Sequence, residues 1–251
     1  MIHSHQSLKA QLSALGIIPG DTLLIHSSLR SMGNLEGGAE TLLLALKEQL
    51  GHGLLVMPTL TWDSVNDSQP VFDVARSRCC VGALPELFRQ QPGVQRSWHP
   101  THSVAAWGDD AVEFVEGHQR FDTPCARASP WGHLVERDAK ILFLGTGLAC
   151  NTLIHGVEEW AEVPGRLTTE PQYLQVTTPS GYLVEVPSRR HIGDASQYYA
   201  KLEPVFDAAG ALRKGQLGDA SCHLVFSSLA ARATLALLDK DIQLFSHPRL
   251  P

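Results

Sequence analysis

The chain has 251 residues, 43% of them hydrophobic and 18% charged, the balance of a globular protein able to bury a core of its own. Its formal net charge of −6 argues against a nucleic-acid surface and is compatible with a cationic small substrate. No apolar run approaches the roughly 18 residues of a membrane span. Five cysteines, Cys79, Cys80, Cys125, Cys150 and Cys222, form no CxxC, and no signal segment precedes them, which fits a reducing cytoplasm.

In chain order, the apolar pattern alternates between helix and strand. Leu8, Leu12 and Leu15 share one helical face, closed by Gly16 before a Pro19-Gly20-Asp21 turn. Thr22 to His26 (TLLIH) predicts a short buried strand running into Ser27-Ser28. Gly37 to Leu50 predicts a helix with Leu42, Leu43, Leu46 and Leu50 inward, and Leu54 to Leu60 a second strand. Thr61 to Cys80 is polar and without a clear period, which predicts a long functional loop. Ala83 to Arg89 and Asp109 to Gly117 read as helices, Ser103 to Trp107 as a strand, and Pro130 to Leu134 as the start of another helix. Beyond Pro164, Tyr173 to Thr178 and Tyr182 to Pro187 flank Pro179-Ser180-Gly181 as a β-hairpin. Asp219 to Leu238 reads as one long Ala- and Leu-rich helix. The expectation is a single domain over residues 1–251 of α/β class: a layered central sheet with flanking helices and a C-terminal β-hairpin portion.

The stretch Lys140 to Ala161 carries the strongest chemical signal. Ile141 to Leu144 reads as a buried strand, Gly145 and Gly147 break it, and Asn151 and Thr152 can cap a helix. His155 and Glu158 are three residues apart in that helix and so share a face. A neighbouring carboxylate holds an imidazole in one tautomer and raises its basicity. The same spacing also suits a half-buried histidine that only satisfies a backbone carbonyl. The Gly145-Thr146-Gly147 turn has the GxG of a dinucleotide loop, but Cys150 stands where the third glycine belongs. No GxSxG is present for a serine hydrolase.

Two further clusters stand out. Ile25 to Leu29 (IHSSL) places hydroxyls and backbone N–H groups at a strand end, which can hold a phosphate or a pantetheine amide, or can be an ordinary serine helix cap. Arg96 to Ser103 (RSWHPTHS) holds His99 and His102 as an HxxH pair, but no carboxylate in that segment completes a metal set.

Together these segments resemble the aminoglycoside N3-acetyltransferase, or antibiotic acetyltransferase, family. The resemblance runs in register through IHSSLRSMG (25–33), MPTLTWD (57–63), VGALPELFR (81–89), RSWHPTHSVAAWG (96–108), SPWGHL (129–134), LGTGLACNTLIHGVEEWA (144–161) and LRKGQLGDA (212–220). It implies acetyl transfer from acetyl-coenzyme A to an amine, in relatives the 3-amino group of an aminoglycoside, without a metal. The family's H-x-x-E signature falls on His155 and Glu158, as general base and its partner. The HSS segment places His26, Ser27, Ser28 and Leu29 at the coenzyme, and the HP-x-x-S segment places His99 and Ser103 near its pantetheine arm. Asp63, Glu158 and Glu159 are the acidic residues expected to meet the cationic acceptor. The partners implied are small molecules, with neither nucleic acid nor membrane, and the sequence carries no sign of the oligomeric state. The chain departs from the family pattern at Arg78-Cys79-Cys80, ahead of VGALPE. Two other readings stay open: a metal-dependent hydrolase using His99, His102 and His155 with Glu158, and a non-catalytic coenzyme A-binding module.

Overall fold

In the computed structural model, which describes residues 2–251, the runs TLLIH, LLVMP and KILFL lie side by side as the parallel centre of a seven-stranded sheet. The strands are β1 (Ile2–His3), β2 (Thr22–Ser27), β3 (Asn34–Leu35), β4 (Leu54–Pro58), β5 (Val71–Asp73) and β6 (Gln95–Arg96). They continue as β7 (Val104–Trp107), β8 (Lys140–Leu144), β9 (Gln172–Thr177), β10 (Leu183–Ser188), β11 (Leu212–Leu217) and β12 (Ala220–Phe226). The α-helices are α1 (His5–Leu15), α2 (Gly38–Leu50), α3 (Ala83–Phe88) and α4 (Ala111–Val115). After them come α5 (Pro130–Glu136), α6 (Thr152–Trp160), α7 (Glu203–Ala208) and α8 (Ser227–Leu238). The main sheet has the order β11-β12-β8-β2-β4-β7-β6, with β8, β2 and β4 parallel and every outer pairing antiparallel. None of the described helices is long and apolar enough to cross a membrane.

Burial explains the centre of the sheet. Successive strand residues point to opposite faces. Leu23 and Ile25 of β2, Leu55 and Met57 of β4, and Leu142 and Leu144 of β8 pack with Leu8 and Leu12 of α1 and Leu42 and Leu46 of α2. Leu24, Val56, Ile141 and Phe143 pack on the other face with Leu153, Ile154 and Val157 of α6 and Ala230 and Leu238 of α8. Strands covered on both faces read as unbroken apolar runs, which is why they are visible in the sequence. The helix that follows β2 thus lies on one face, and the helix that follows β8 on the other. Because β2 and β8 are neighbours, their chains part at the carboxyl ends and leave a crevice, the usual ligand position in such sheets.

The predicted layered α/β class stands, with local corrections. Asp219 to Leu238 is not one helix: Ala220–Phe226 is β12, and only Ser227–Leu238 is helical. Cys222 and Leu224 enter one core and Val225 the other, while β12 hydrogen-bonds β11 and β8. Burial between two strands decides the local conformation there. The charged stretch Leu212–Leu217 is recruited as the edge strand β11 although it has no strand pattern of its own. The loop after Thr61 contains β5, which adds to the β9–β10 hairpin in a second sheet around Phe72, Leu174, Val176 and Val186.

Gly145 is where β8 turns into the crevice. Its φ of 63° is left-handed, and a Cβ there would lie 1.6 Å from Ser31 Oγ. Gly145→Ala should therefore lower stability by about 2 kcal/mol or more, through the strained φ and the displaced serine. Urea unfolding measures this, and a parental midpoint would contradict the packing of this turn.

Candidate active site

The crevice at the ends of β2 and β8 holds two adjoining cavities. One of 470 Å³ is lined by His26, Ser27, Pro58, Leu60 and Val81 among others, and by His155. The other, of 170 Å³, is lined by Thr101, Arg190, His191 and Gly193, and again by His155. Trp62, His102, His155 and Ser196 line both. His155 therefore stands at the junction of two compartments.

Helix α6 begins at Thr152, as the sequence predicts, with Asn151 at its N-cap position. The Asn151 side chain makes no capping bond; its Nδ2 and Oδ1 are buried without partners. The three-residue spacing puts His155 Nδ1 3.6 Å from Glu158 Oε2. The pair is not in direct hydrogen-bond contact. Tyr199, from the 3-10 helix Ala195–Leu202, lies between them: its phenol oxygen is 2.7 Å from His155 Nδ1 and 2.5 Å from Glu158 Oε2. The other carboxylate oxygen, Oε1, accepts from Arg166 Nε at 2.6 Å. Burial opposes ionisation of Glu158, but the nearby His155 ring, the Tyr199 hydrogen bond and the charge of Arg166 outweigh it and hold the carboxyl below its ordinary value.

The direction of the proton chain follows from donor counting. An ionised carboxylate only accepts, so the single phenol proton of Tyr199 goes to Glu158. Toward His155 the phenol oxygen then accepts, from Nδ1–H. The proton sits on Nδ1, and Nε2 keeps its lone pair. Burial lowers the His155 pKa, and the nearby Glu158 carboxylate opposes that shift. His191 stacks on His155 with ring centroids 4.4 Å apart and 18° between planes, which fixes the ring's orientation.

Other predicted positions divide by what they face. His26 Nε2 and Ser27 Oγ are buried, partnerless and in the wall of the larger cavity. Ser28 and Leu29 start the 3-10 helix Leu29–Met32 instead: the Ser28 N–H donates to Leu144 O at 2.8 Å, and Leu29 packs against the core. His99 and Ser103 do not line either cavity, contrary to expectation. His99 Nδ1 accepts from the His102 N–H at 3.0 Å, and Ser103 Oγ donates to Thr59 O at 2.8 Å. The HPTHS turn uses both side chains to satisfy its own backbone and that of the segment just after β4. His102 is the residue of that turn that reaches both cavities. Asp63 is exposed beside Trp62, whereas the Glu158 and Glu159 side chains are only 1% and 4% exposed and are held by protein partners. Glu159 Oε1 accepts from the Cys125 N–H and lies 2.6 Å from His191 Nε2. His99, His102, His155 and Glu158 do not gather as a metal set among the described residues. Tyr199, Arg166 and His191 carry no motif that marks them in the sequence.

A family model described as aminoglycoside 3-N-acetyltransferase matches residues 24–239. Aminoglycoside N(3)-acetyltransferase IV from a Salmonella species is 33% identical over 244 residues, 96% of this chain and 89% of that protein. The crystal structure of a histidine-to-alanine mutant of aminoglycoside acetyltransferase AAC(3)-IVa in complex with gentamicin is 31% identical, with a TM-score of 0.86 over 99% of this chain and 93% of that one. The structure of AAC-IIIb in binary complex with CoASH is 30% identical, with a TM-score of 0.84 over 96% of this chain and 97% of that one.

Burial of histidines around the site has a measurable consequence. Burial pushes His26 and His118 down to about 3. The unfolded chain takes up these protons below about pH 6.5, while the folded protein does not. Their contribution to stability is therefore complete above that pH and is lost as pH falls toward the folded values. Each should cost about 1.4 kcal/mol per pH unit across that window. Urea midpoints measured between pH 8 and pH 5 should fall accordingly, and a flat profile would contradict neutral burial.

Proposed function

This chain belongs to the aminoglycoside 3-N-acetyltransferase family, and from that premise we propose that it transfers acetyl from acetyl-coenzyme A to the 3-amino group of an aminoglycoside or a related amine, with His155 as general base. One observation carries the reading: His155 lines both cavities, where a donor and an acceptor would meet, and its buried partners leave Nε2 unprotonated.

The larger cavity suits the donor. Pro58, Leu60, Val81 and Pro85 offer apolar wall to the alkyl parts of a pantetheine arm, and the partnerless His26 Nε2 and Ser27 Oγ offer hydrogen bonds to its amides. The smaller cavity takes the acceptor. Asp63 beside its Trp62 wall supplies an exposed carboxylate for a polycation, and the net charge of −6 favours the encounter. Glu158 and Glu159 act from behind the wall, through the residues they hold.

An amine attacks a thioester only as the neutral base. His155 Nε2 takes the proton from the attacking amine as nitrogen bonds to the acetyl carbon, the carbon–sulfur bond breaks, and the imidazolium returns that proton to the leaving sulfur, so the coenzyme departs as its thiol. Imidazolium formed in that step is stabilised by the buried Glu158 charge through the Tyr199 phenol. The product amide is uncharged, so the drug loses one of the cations on which its binding depends, which is the chemistry of antibiotic resistance. Residues 1–251 serve as one domain in this reading, and the cytoplasm, where acetyl-coenzyme A is made, is its place of work.

The test is thiol release from acetyl-coenzyme A against a panel of aminoglycosides and simple amines. Aminoglycosides should drive release in the parent protein. His155→Ala should lose about 10²–10⁴-fold in turnover while binding the coenzyme with nearly parental affinity. Parental turnover in His155→Ala on a confirmed acceptor would contradict the assignment, and coenzyme binding without release for any amine would favour a non-catalytic binding module.

A further inference from the structure

Beside the His155–Tyr199–Glu158 chain, three segments distant in sequence bring different donors together. Cys125 comes from the loop before α5, Glu159 from α6 and His191 from the segment after β10. One donor atom from each lies within 4.8 Å of the other two, and no other such group of His, Cys, Asp and Glu occurs among the described residues. All three are withdrawn from solvent: Cys125 is fully buried, and the Glu159 and His191 side chains are 4% and 13% exposed.

Their hydrogen bonding is incomplete. Glu159 Oε1 takes both available bonds, from the Cys125 N–H at 2.9 Å and from His191 Nε2 at 2.6 Å. Glu159 Oε2 and His191 Nδ1 are buried with no partner. The Cys125 thiol reaches only Thr152 O, at 3.9 Å. An ionised carboxylate oxygen left unpartnered in the interior is costly, and native proteins rarely leave one so without a reason. The protein offers it no further donor.

We propose that Cys125, Glu159 and His191 form a binding site for a divalent transition metal of the zinc type, separate from the catalytic chain. A sulfur, a nitrogen and an oxygen ligand are the mixture zinc takes, whereas magnesium and calcium prefer oxygen alone. On binding, the thiol gives its proton to solvent and the sulfur bonds the metal. The imidazole gives up its bond to Glu159 and coordinates through one nitrogen, with its proton on the other. Three protein ligands leave one position for water. The ion has a route in, because His191 lines the smaller, solvent-connected cavity.

Such an ion would tie α6 to two distant loops, and through the stacked rings it would fix His155 as well. Its part is positioning. The site does not depend on the acetyl-transfer reading: it stands or falls on metal uptake alone.

The experiment titrates chelator-stripped full-length protein with Zn²⁺ by calorimetry, counts metal per chain, and repeats the titration with Co²⁺, whose thiolate complexes absorb in the near ultraviolet. The parent should bind one Zn²⁺ per chain, show the thiolate–cobalt band, and gain roughly 5–10 °C in unfolding midpoint at a hundredfold excess over Kd. Cys125→Ser should lose the cobalt band. Glu159→Gln, which keeps the shape should the cysteine variant fold poorly, should bind Zn²⁺ at least roughly tenfold more weakly. A parent that takes up no stoichiometric metal would overturn the proposal. So would parental Zn²⁺ affinity in Glu159→Gln or an undiminished cobalt band in Cys125→Ser, because the ion would then sit elsewhere.

Discussion

The site is organised around one buried charge. Glu158 sits on the core side of α6 with a side chain 1% exposed, and a carboxylate in that position survives only if every oxygen is answered. Arg166 answers one oxygen and Tyr199 the other. Once the single phenol proton is committed to Glu158, the phenol oxygen must accept from His155, and the imidazole tautomer is decided. The charge thus reaches the cavity through a hydroxyl. Arg166 neutralises Glu158 and Tyr199 transmits its direction, so the exposed end of the chain is a neutral imidazole with a free lone pair.

The fold supplies the location. A parallel centre covered on both faces forces the helices after β2 and β8 to opposite sides, and the gap between those strand ends becomes the crevice. Sequence-adjacent residues at each strand end then face the same space: His26 and Ser27 from β2, and Thr146, Thr152 and His155 beyond β8. Burial keeps the surrounding imidazoles neutral, with His26 and His118 down to about 3 and His102 well below its ordinary value. Around neutral pH neither His26 nor His102 in the cavity walls is therefore a cation that would repel a polycationic acceptor.

What the sequence disclosed, and what it hid, follows from the range of each interaction. The central strands were legible because double burial writes apolar runs, and His155 with Glu158 because one helical turn fixes their relation. The seven segments in register disclosed the family, and with it the reaction. Tyr199 and Arg166 were not legible: their contacts with α6 depend on how the chain returns after the β9–β10 hairpin, which no local period records. His99 and Ser103 mark another limit. Their motif was visible, but in an irregular turn spacing does not tell which side chains look inward, and His102 reaches the cavities instead. The strand β12 was hidden for a similar reason, since an apolar run joined to a real helix reads as more helix until its neighbours in the sheet are known.

The His155 tautomer decides whether Nε2 can act as the base, and nitrogen NMR of the imidazole reads it directly. In protein labelled at histidine nitrogen and held above the His155 pKa, the proton should be found on Nδ1 with Nε2 bare. Tyr199→Phe should abolish that preference while leaving the fold intact. A His155 ring that carries its proton on Nε2 in the parent protein would contradict the proposed chain from Glu158 through Tyr199, and with it the assignment of the base.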